Sequence, residues 1–439
     1  MQKLNKIIEY LLYTFGFLLP WQIRWIIYDP RVGGDVWEYG RISLYAFDVV
    51  FVILLAYYFV KRIRESRGQV SKILILIFLY ITASILFWVD NKLISFYWLL
   101  RLMQGMGLIY ILKKIDFSRV KLAGSFVMSM VLSAGLGIYQ FLFQEAFASK
   151  WLGLAYHSAR DLGASVVEFT DQRWLRAYGS LPHPNVLGGF VVVALIIVFY
   201  LYNFFSSEHE EIKKLEIKKL RILKLLLVAN CLVLCAGLFF AFSRAAWLVF
   251  LIISLLYYLL TLLPKYRLWR PGRKLMFFCF FCFFVLCIIF LPLVKTRLGL
   301  SESTRLEVMS NVQRLTGYTE SFEVIRNNLW LGAGLGNYTN ELQKIYPNYS
   351  GWVYQPVHNV YLLMFSEIGV VGVILIIILL SCYLVRRSKV SKSPESKVFV
   401  FIFLCFYVFM FMFDHLWWTL SSGMLLTFLI LGILDKKRV

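Results

Sequence analysis

Few side chains in this sequence can do chemistry, and they fall in a handful of places. The longest stretch without continuous apolar character runs from Leu293 to Glu367 and holds Arg314 and His358, with Gly332-Ala333-Gly334-Leu335-Gly336-Asn337-Tyr338 between them. His358 opens an apolar run, beside Asn359 and with Glu367 two turns farther along. A lone histidine is more often structural than catalytic. An imidazole that is neutral near physiological pH and able to take a proton nevertheless suits a general base in such a place. Arg244 lies in Ala241-Phe242-Ser243-Arg244-Ala245-Ala246-Trp247, a tight junction between two apolar runs. Small neighbours let helices approach closely, so this guanidinium can be held to meet phosphate oxygens in pairs; an ordinary interfacial arginine is the plainer alternative. Arg176, His183 and Asn185 surround the turn Gly179-Ser180-Leu181-Pro182-His183-Pro184, where a helix start would favour an anion over a merely solvated loop. Cations and a base suit transfer chemistry on a phosphorylated substrate. No Asp-x-Asp occurs, which argues against a divalent-metal mechanism, and no metal site is expected.

These residues need a scaffold, and composition says what kind. With 60% hydrophobic, 18% aromatic and 16% charged residues, the chain cannot present a soluble surface and reads as an integral membrane protein. Apolar runs long enough to cross a ~30 Å hydrocarbon core recur throughout, and each must be a helix that satisfies its own backbone. About twelve are expected: 5–27, 43–60, 73–89, 94–112, 122–143, 186–203, 223–242, 245–263, 275–294, 359–384, 398–414 and 418–434. The fold class is therefore all-α and polytopic, with a large external loop between helices 9 and 10 that carries short amphipathic helices. The formal charge of +21 does not indicate nucleic acid, because 30 of the 46 basic residues lie in seven stretches that an even number of spans puts on one face. The positive-inside rule makes that face cytoplasmic, with both termini inside and the Leu293–His358 segment outside. The first span has no cleavage site after it and is read as retained.

Several further features carry weaker signals. All seven cysteines fall within expected spans, and Cys279-Phe-Phe-Cys282 lacks partners for a metal or redox role, so buried apolar thiols are expected. Asp48 and Arg101 lie at depths where an ionised group is costly unless paired, and Asp48 could pair with Arg101 or Arg24. The 206–224 segment alternates Glu and Lys like a solvated cytoplasmic helix or linker. Thr304-Arg-Leu-Glu307 is a capping-box pattern, predicting one short helix from Thr304 and a second from Tyr318 to Asn327, with Arg314 near the break. The glycine run has no strand before it. It is read as a turn with close backbone packing, not a nucleotide fingerprint.

Taken in order, Phe242-Ser243-Arg244-Ala245-Ala246, Arg314-Leu315-x-x-Tyr318, Gly332-x-Gly334-x-Gly336-Asn337-Tyr338, His358-Asn359-x-Tyr361-Leu362 and Glu367-x-Gly369 resemble the O-antigen ligase and O-antigen polymerase superfamily over about 223–384. Tyr318, where many relatives carry tryptophan, and Ala333 are departures that touch no proposed chemistry. The resemblance implies a metal-independent, inverting glycosyltransferase that moves a glycan from polyprenyl (undecaprenyl) diphosphate to an acceptor hydroxyl on the outer face of the inner membrane. It implies Arg244 and Arg314 as diphosphate-binding, Arg176 more weakly so, and His358 as the essential histidine, with Asn359, Glu367, His183 and Asn185 in support. Ligase-like transfer to a lipid A-core or other glycan acceptor is the leading expectation, ahead of a repeat-unit polymerase, a protein O-oligosaccharyltransferase and a polysaccharide transporter. A transporter should show an internal repeat with broken helices, and a binding scaffold would not need His358. No cofactor, nucleotide or nucleic-acid partner is expected. The implied organisation is 1–222 as an N-terminal bundle with external loop 144–185, 223–384 as the family-like core with external loop 295–358, and 385–439 as a C-terminal pair.

Overall fold

A computed structural model describes residues 2–32, 34–62, 72–170, 172–207, 212, 216–300, 305–390 and 394–435. The chain is mostly helical. In order, the helices are α1 (Gln2–Leu18), α2 (Ala46–Arg62), α3 (Lys72–Phe87), α4 (Lys92–Lys114), α5 (Arg119–Phe143), α6 (Pro184–Phe204), α7 (Ile217–Phe240) and α8 (Arg244–Leu262). They continue with α9 (Arg270–Ile289), α10 (Leu291–Leu298), α11 (Arg305–Asn327), α12 (Tyr338–Ile345), α13 (Val360–Val390), α14 (Pro394–Phe413), α15 (Leu416–Thr419) and α16 (Ser421–Asp435). Among the described residues, seven helices are long and apolar enough to cross a membrane, namely α4 to α9 and the Val360–Val385 part of α13. Four shorter apolar stretches lie in α2, α3, α14 and α16. Parts of the basic runs at 61–72, 213–224 and 386–397, the end of the C-terminal run, the acidic 208–211 segment and the capping residue Thr304 lie outside the described residues.

Three expectations about local structure need correction. The first apolar run does not continue as helix to residue 27: α1 ends at Leu18, Pro20 follows, and Arg24–Tyr28 is strand β1. Proline has no N–H to continue a helix, and the β-branched pair Ile26-Ile27 suits a strand. Strand β1 pairs antiparallel with β4 (Ile42–Tyr45), and between them β2 (Arg31–Val32) pairs with β3 (Asp35–Val36). Two more short hairpins, unforeseen in an all-α reading, fold the 144–183 loop: β5 (Glu145–Ala146) with β6 (His157–Ser158), and β7 (Val166–Phe169) with β8 (Gln172–Leu175). Finally, no break occurs at Arg314, because α11 is one helix through Gly317.

The chain divides into two compact units, the first made of 1–23, 117–310 and 393–410, the second of 24–116, 311–392 and 411–439. In the first unit α6 is the central span, with all but four of its 21 residues buried. Its neighbours approach at small residues. A methyl group on Gly188 would stand 2.7 Å from the Ala246 Cβ of α8, and one on Gly237 of α7 would stand 2.6 Å from the Ala134 Cβ of α5. Close approach of this kind is what holds helices together in lipid, where no hydrophobic drive between them exists.

In the second unit α4 packs on α16 and α2, and α3 packs on α13. The expected choice for Asp48 resolves in favour of Arg101: Arg101 Nη1 donates to Asp48 Oδ1 at 2.5 Å, while Arg24 pairs with Glu38 at 3.0 Å. Gln104 donates to the same aspartate at 2.8 Å, and Arg101 also donates to Ser43 O at 2.7 Å and Tyr97 Oη at 3.0 Å. Two opposite charges so caged can stay ionised while buried; removing one partner of such a pair costs ~3–5 kcal/mol.

Candidate functional site

In the first unit the junction between α7 and α8 is built to present Arg244. Phe242 holds φ of +45°, unusual for a residue with a side chain, and two buried arginines grip the carbonyls on either side of it. Arg176 Nε donates to Ala241 O at 2.9 Å, and Arg297 Nε donates to Phe242 O at 2.7 Å. The Ala177 N–H donates to Phe240 O at 2.9 Å, which ties the end of the 144–183 loop to the same turn. Ser243 then caps α8, its Oγ accepting from Ala246 N at 3.4 Å, so Arg244 becomes the first residue of the helix.

Among the described residues, two arginines at this junction pair with one carboxylate. Arg297 Nη1 donates to Glu307 Oε1 at 2.5 Å, and Arg244 Nη1 lies 3.4 Å from Glu307 Oε2. Arg176 Nη2 donates to Asn185 Oδ1 at 2.7 Å. Burial, and then the neighbouring Arg297, push the Arg176 pKa well down, Arg244 adding to this while Tyr178 and Glu307 pull the other way. A guanidinium does not lose its proton in a protein, so the shift expresses the cost of burying this charge, with the nearby arginines adding to it. Arg176 and Arg297 are 5% and 7% exposed, whereas 25% of the Arg244 side chain is open, making Arg244 the member of the group that can meet a ligand. Glu307 serves as counter-ion to both Arg297 and Arg244, and the expected capping box, which turns on Thr304, lies outside the described residues. His183 caps α6, its Nδ1 accepting from Asn185 N at 3.1 Å, so both residues position Arg176 and the helix start.

The second unit holds His358, Glu367 and Arg314. Arg314 is half-buried at mid-length in α11 and makes no ion pair among the described residues. His358 precedes α13, whose first turn is capped by Asn359: its Oδ1 accepts from Leu362 N at 3.1 Å. His358 Nδ1 lies 3.8 Å from Asp414 Oδ1, and the His358 ring centroid is 5.0 Å from that of His415. Among the described residues Nδ1 has no hydrogen-bond partner, and it faces the carboxylate. His415 is buried with Nδ1 2.7 Å from Thr419 Oγ1, and burial, then His358, lower its pKa to about 3. It is therefore neutral near pH 7, and His358 is the exposed imidazole of the pair.

Sequence reasoning missed Asp414 and His415. A signal was present in Phe413-Asp414-His415-Leu416, an acid and a histidine between two apolar runs on the side assigned to His358. Ligand atoms of His358, Asp414 and His415 all lie within 4.8 Å of one another, so these three could also hold a cation.

The glycine run behaves as expected and explains Glu367. Gly332, Gly334 and Gly336 hold φ of +73°, +102° and +75°. Their turn fits into a break in α13 at Gly369, itself at φ +59°. Ala333 N donates to Ser366 O and Gly334 N to Glu367 O, both at 2.9 Å; in return Val370 N donates to Leu329 O at 2.9 Å. The buried Glu367 carboxylate accepts from Trp418 Nε1 at 2.8 Å and from the backbone amides of Gly336 and Tyr338. Asn337 fastens the other side, its Nδ2 donating to Ser95 Oγ of α4 at 2.7 Å.

Residues 229–377 match a family model described as O-antigen ligase. The chain carries an O-antigen ligase domain. That domain contains Arg244, Glu307, Arg314, the glycine turn, His358 and Glu367, and stops short of Asp414 and His415. Arg176, His183 and Asn185 lie upstream of it. No curated protein matches the chain. An O-antigen ligase-type domain over about a third of the chain, together with seven helices among the described residues long and apolar enough to cross a membrane, supports a multi-pass membrane protein.

Proposed function

We propose that this protein transfers a glycan from a polyprenyl diphosphate to an acceptor hydroxyl at the outer face of the inner membrane, in the manner of an O-antigen ligase. In this reading about twelve spans place both termini in the cytoplasm. The observation that carries the reading is the arginine group around the α7–α8 junction, where Arg244 and Arg297 share the Glu307 carboxylate within a domain of ligase type and Arg176 lies buried beside them. A diphosphate is the natural complement to such a cluster of guanidiniums. Glu307 then acts as the resting counter-ion of Arg244, and the donor's phosphate oxygens take its place. Arg314, which has no ion pair among the described residues, supplies a second contact to the diphosphate.

Polyprenyl diphosphate is already a good leaving group, so the protein's tasks are to hold the developing negative charge and to remove the acceptor's proton. His358 removes it through Nε2, and the carboxylate of Asp414 stabilises the imidazolium from the Nδ1 side. The attack inverts the sugar's anomeric centre: the acceptor oxygen forms the new glycosidic bond as the bond to phosphate breaks, and the diphosphate leaves as the anion held by the arginines. No metal ion takes part in this scheme.

The test is transfer by purified protein from a polyprenyl-diphosphate glycan. Loss of one arginine contact in the transition state is worth ~2–4 kcal/mol, or about 30- to 1000-fold in rate. Arg244→Lys, which puts a point charge in place of a planar fork, should recover little of the activity that Arg244→Ala loses. His358→Ala should stop turnover and leave donor binding intact. Near-normal transfer by both Arg244→Ala and Arg314→Ala would defeat the proposal, and inhibition of wild type by EDTA would move His358, Asp414 and His415 to a cation-binding role.

A further inference from the structure

Around the proposed base the second unit gathers more ligand atoms than proton transfer needs. His358, Asp414 and His415 each offer one, and the three atoms lie within 4.8 Å of one another. Two of these residues are closed to solvent, Asp414 at 2% and His415 at 1% exposed. The third brings a buried nitrogen to them: His358 Nδ1 stands 3.8 Å from Asp414 Oδ1 and has no hydrogen-bond partner among the described residues. Ligand atoms of a tetrahedral ion at ~2.0–2.1 Å stand ~3.3 Å apart, so this gap, too wide for a hydrogen bond, closes by about 0.5 Å around an ion.

His415 is held as a ligand is held. The Thr419 hydroxyl donates to His415 O at 3.4 Å and lies 2.7 Å from His415 Nδ1. Its proton being spent on the carbonyl, it accepts the N–H of Nδ1, and the lone pair of this imidazole is on Nε2. A bond from the other ring nitrogen to a neighbouring oxygen is the usual way in which a metal-ligating histidine is fixed. Two imidazoles and one carboxylate suit a borderline divalent ion such as Zn²⁺, for which three protein ligands and an open position are an ordinary set. Mg²⁺ and Ca²⁺ prefer oxygen throughout. Entry is from the His358 side, where 30% of the side chain is open.

We propose that His358, Asp414 and His415 form a Zn²⁺ site, and that the ion and the acceptor's proton exclude one another at His358. A neutral imidazole has one basic lone pair and one N–H. Once Nδ1 is bonded to the ion the N–H stands on Nε2, and that nitrogen can give a proton but not take one. Binding therefore shifts the ring's own proton from Nδ1 to Nε2, changes no oxidation state and switches the base off. The inhibitory role rests on the transferase reading; the site itself does not.

Binding is measured without donor or acceptor, so the two fail separately. Protein without an affinity tag, in nanodiscs of zwitterionic lipid, is stripped with EDTA, freed of chelator and titrated with Zn²⁺ against a competing fluorescent chelator. One equivalent should bind, excess Mg²⁺ should not displace it, and zinc-edge X-ray absorption of the wild type, which depends on no variant's folding, should show imidazole nitrogens at about 2.0–2.1 Å. Asp414→Asn and His415→Gln should each weaken binding more than about 100-fold; Thr419→Val, which keeps the shape and loses the hydroxyl, should weaken it about 10- to 100-fold. In the transfer assay Zn²⁺ should inhibit the wild type, EDTA should restore it, and Thr419→Val should need about 10- to 100-fold more Zn²⁺ for the same inhibition. Absence of saturable binding, equal affinity in His415→Gln and wild type, or an absorption edge without imidazole overturns the site and leaves the transferase reading standing. Zn²⁺ that binds here without slowing transfer, or a wild type inactivated by EDTA, overturns the exclusion at His358. Binding as expected in a protein that moves no glycan with or without EDTA supports the site and defeats the transferase reading.

Discussion

Asp414→Asn isolates one charge. The substitution keeps the side chain's shape, and its remaining oxygen can still accept from Leu416 N, as Asp414 Oδ1 does at 3.3 Å. What disappears is a negative charge 3.8 Å from His358 Nδ1. At that separation Coulomb's law gives ~1 kcal/mol in water and ~4 kcal/mol at an effective dielectric constant of ~20. Asp414 is almost wholly buried, but 30% of the His358 side chain is open to solvent, which screens the interaction. A loss of ~1–3 kcal/mol from a transition state in which the imidazole becomes positive is therefore expected, about 5- to 150-fold in kcat. The assay is steady-state transfer at saturating donor, with acceptor KM measured beside kcat. Acceptor KM and donor binding should hold, because Asp414 acts through His358 and touches neither substrate. A kcat within twofold of wild type would refute the dyad. Recovery of the variant by excess divalent cation, with EDTA inactivation of wild type, would show that the same three residues serve a metal instead.

Three further outcomes follow from the same structure. Gly332→Ala puts a methyl group 2.6 Å from Gly369 N, against the Glu367 carbonyl, at φ +73°, and should cost ~2–4 kcal/mol of thermal stability, whereas Gly317→Ala in α11, with nothing within 4 Å, should stabilise by ~0.5–1 kcal/mol; melting curves of both in nanodiscs that moved in the same direction would contradict the account of the glycine turn. His415 has a folded-state pKa of about 3 against a usual ~6.5, so its contribution to stability is complete above pH 6.5 and is lost as pH falls toward 3, by ~2 kcal/mol at pH 5.0; the acid-side melting loss should shrink in His415→Gln, and an unchanged pH profile would remove the argument. Cysteine placed at Gln313 should react with an impermeant thiol reagent in intact cells or spheroplasts while one at Asp116 should not, and the reverse pattern would invert the proposed topology.

How far the site could be read in the sequence depends on the range of the interaction. The α7–α8 junction was legible because its cause is local: two apolar runs with only Ala241 to Ser243 between their helices force a tight turn, and Ser243 caps the second. The glycine turn was legible for the same reason, since three glycines in five residues imply left-handed backbone. The grip of Arg176 and Arg297 on that junction was not, because it joins segments 65 and 55 residues apart through backbone carbonyls that no residue type announces. Asp414 is 56 positions from His358, at the last position of the expected span 398–414, where an acid reads as a span end. Helix α11 reads as two helices in sequence because Thr316 and Gly317 look like breakers; tertiary burial of Val324, with Tyr318 packed on the same cluster, outweighs that propensity.

The break in α13 ties these parts together physically. A span interrupted in hydrocarbon would strand backbone groups at several kcal/mol each, yet here the carbonyls of Ser366 and Glu367 and the amides of Val370 and Val371 are all taken up by residues 329–334. The turn therefore cannot move without the helix. Since α13 begins two residues after His358 and carries Glu367, the proposed base, the Glu367 carboxylate and the glycine turn share one rigid frame within the second unit. Arg244 takes its position from a different frame, the carbonyl grip of Arg176 and Arg297 in the first unit. Kinetics should divide along that line: changes that loosen the glycine turn should register in acceptor KM and in kcat, and changes to the arginine grip should register in donor binding. A variant such as Asn185→Ala, which removes the acceptor held by Arg176 Nη2, is expected to weaken donor binding and leave acceptor KM unchanged.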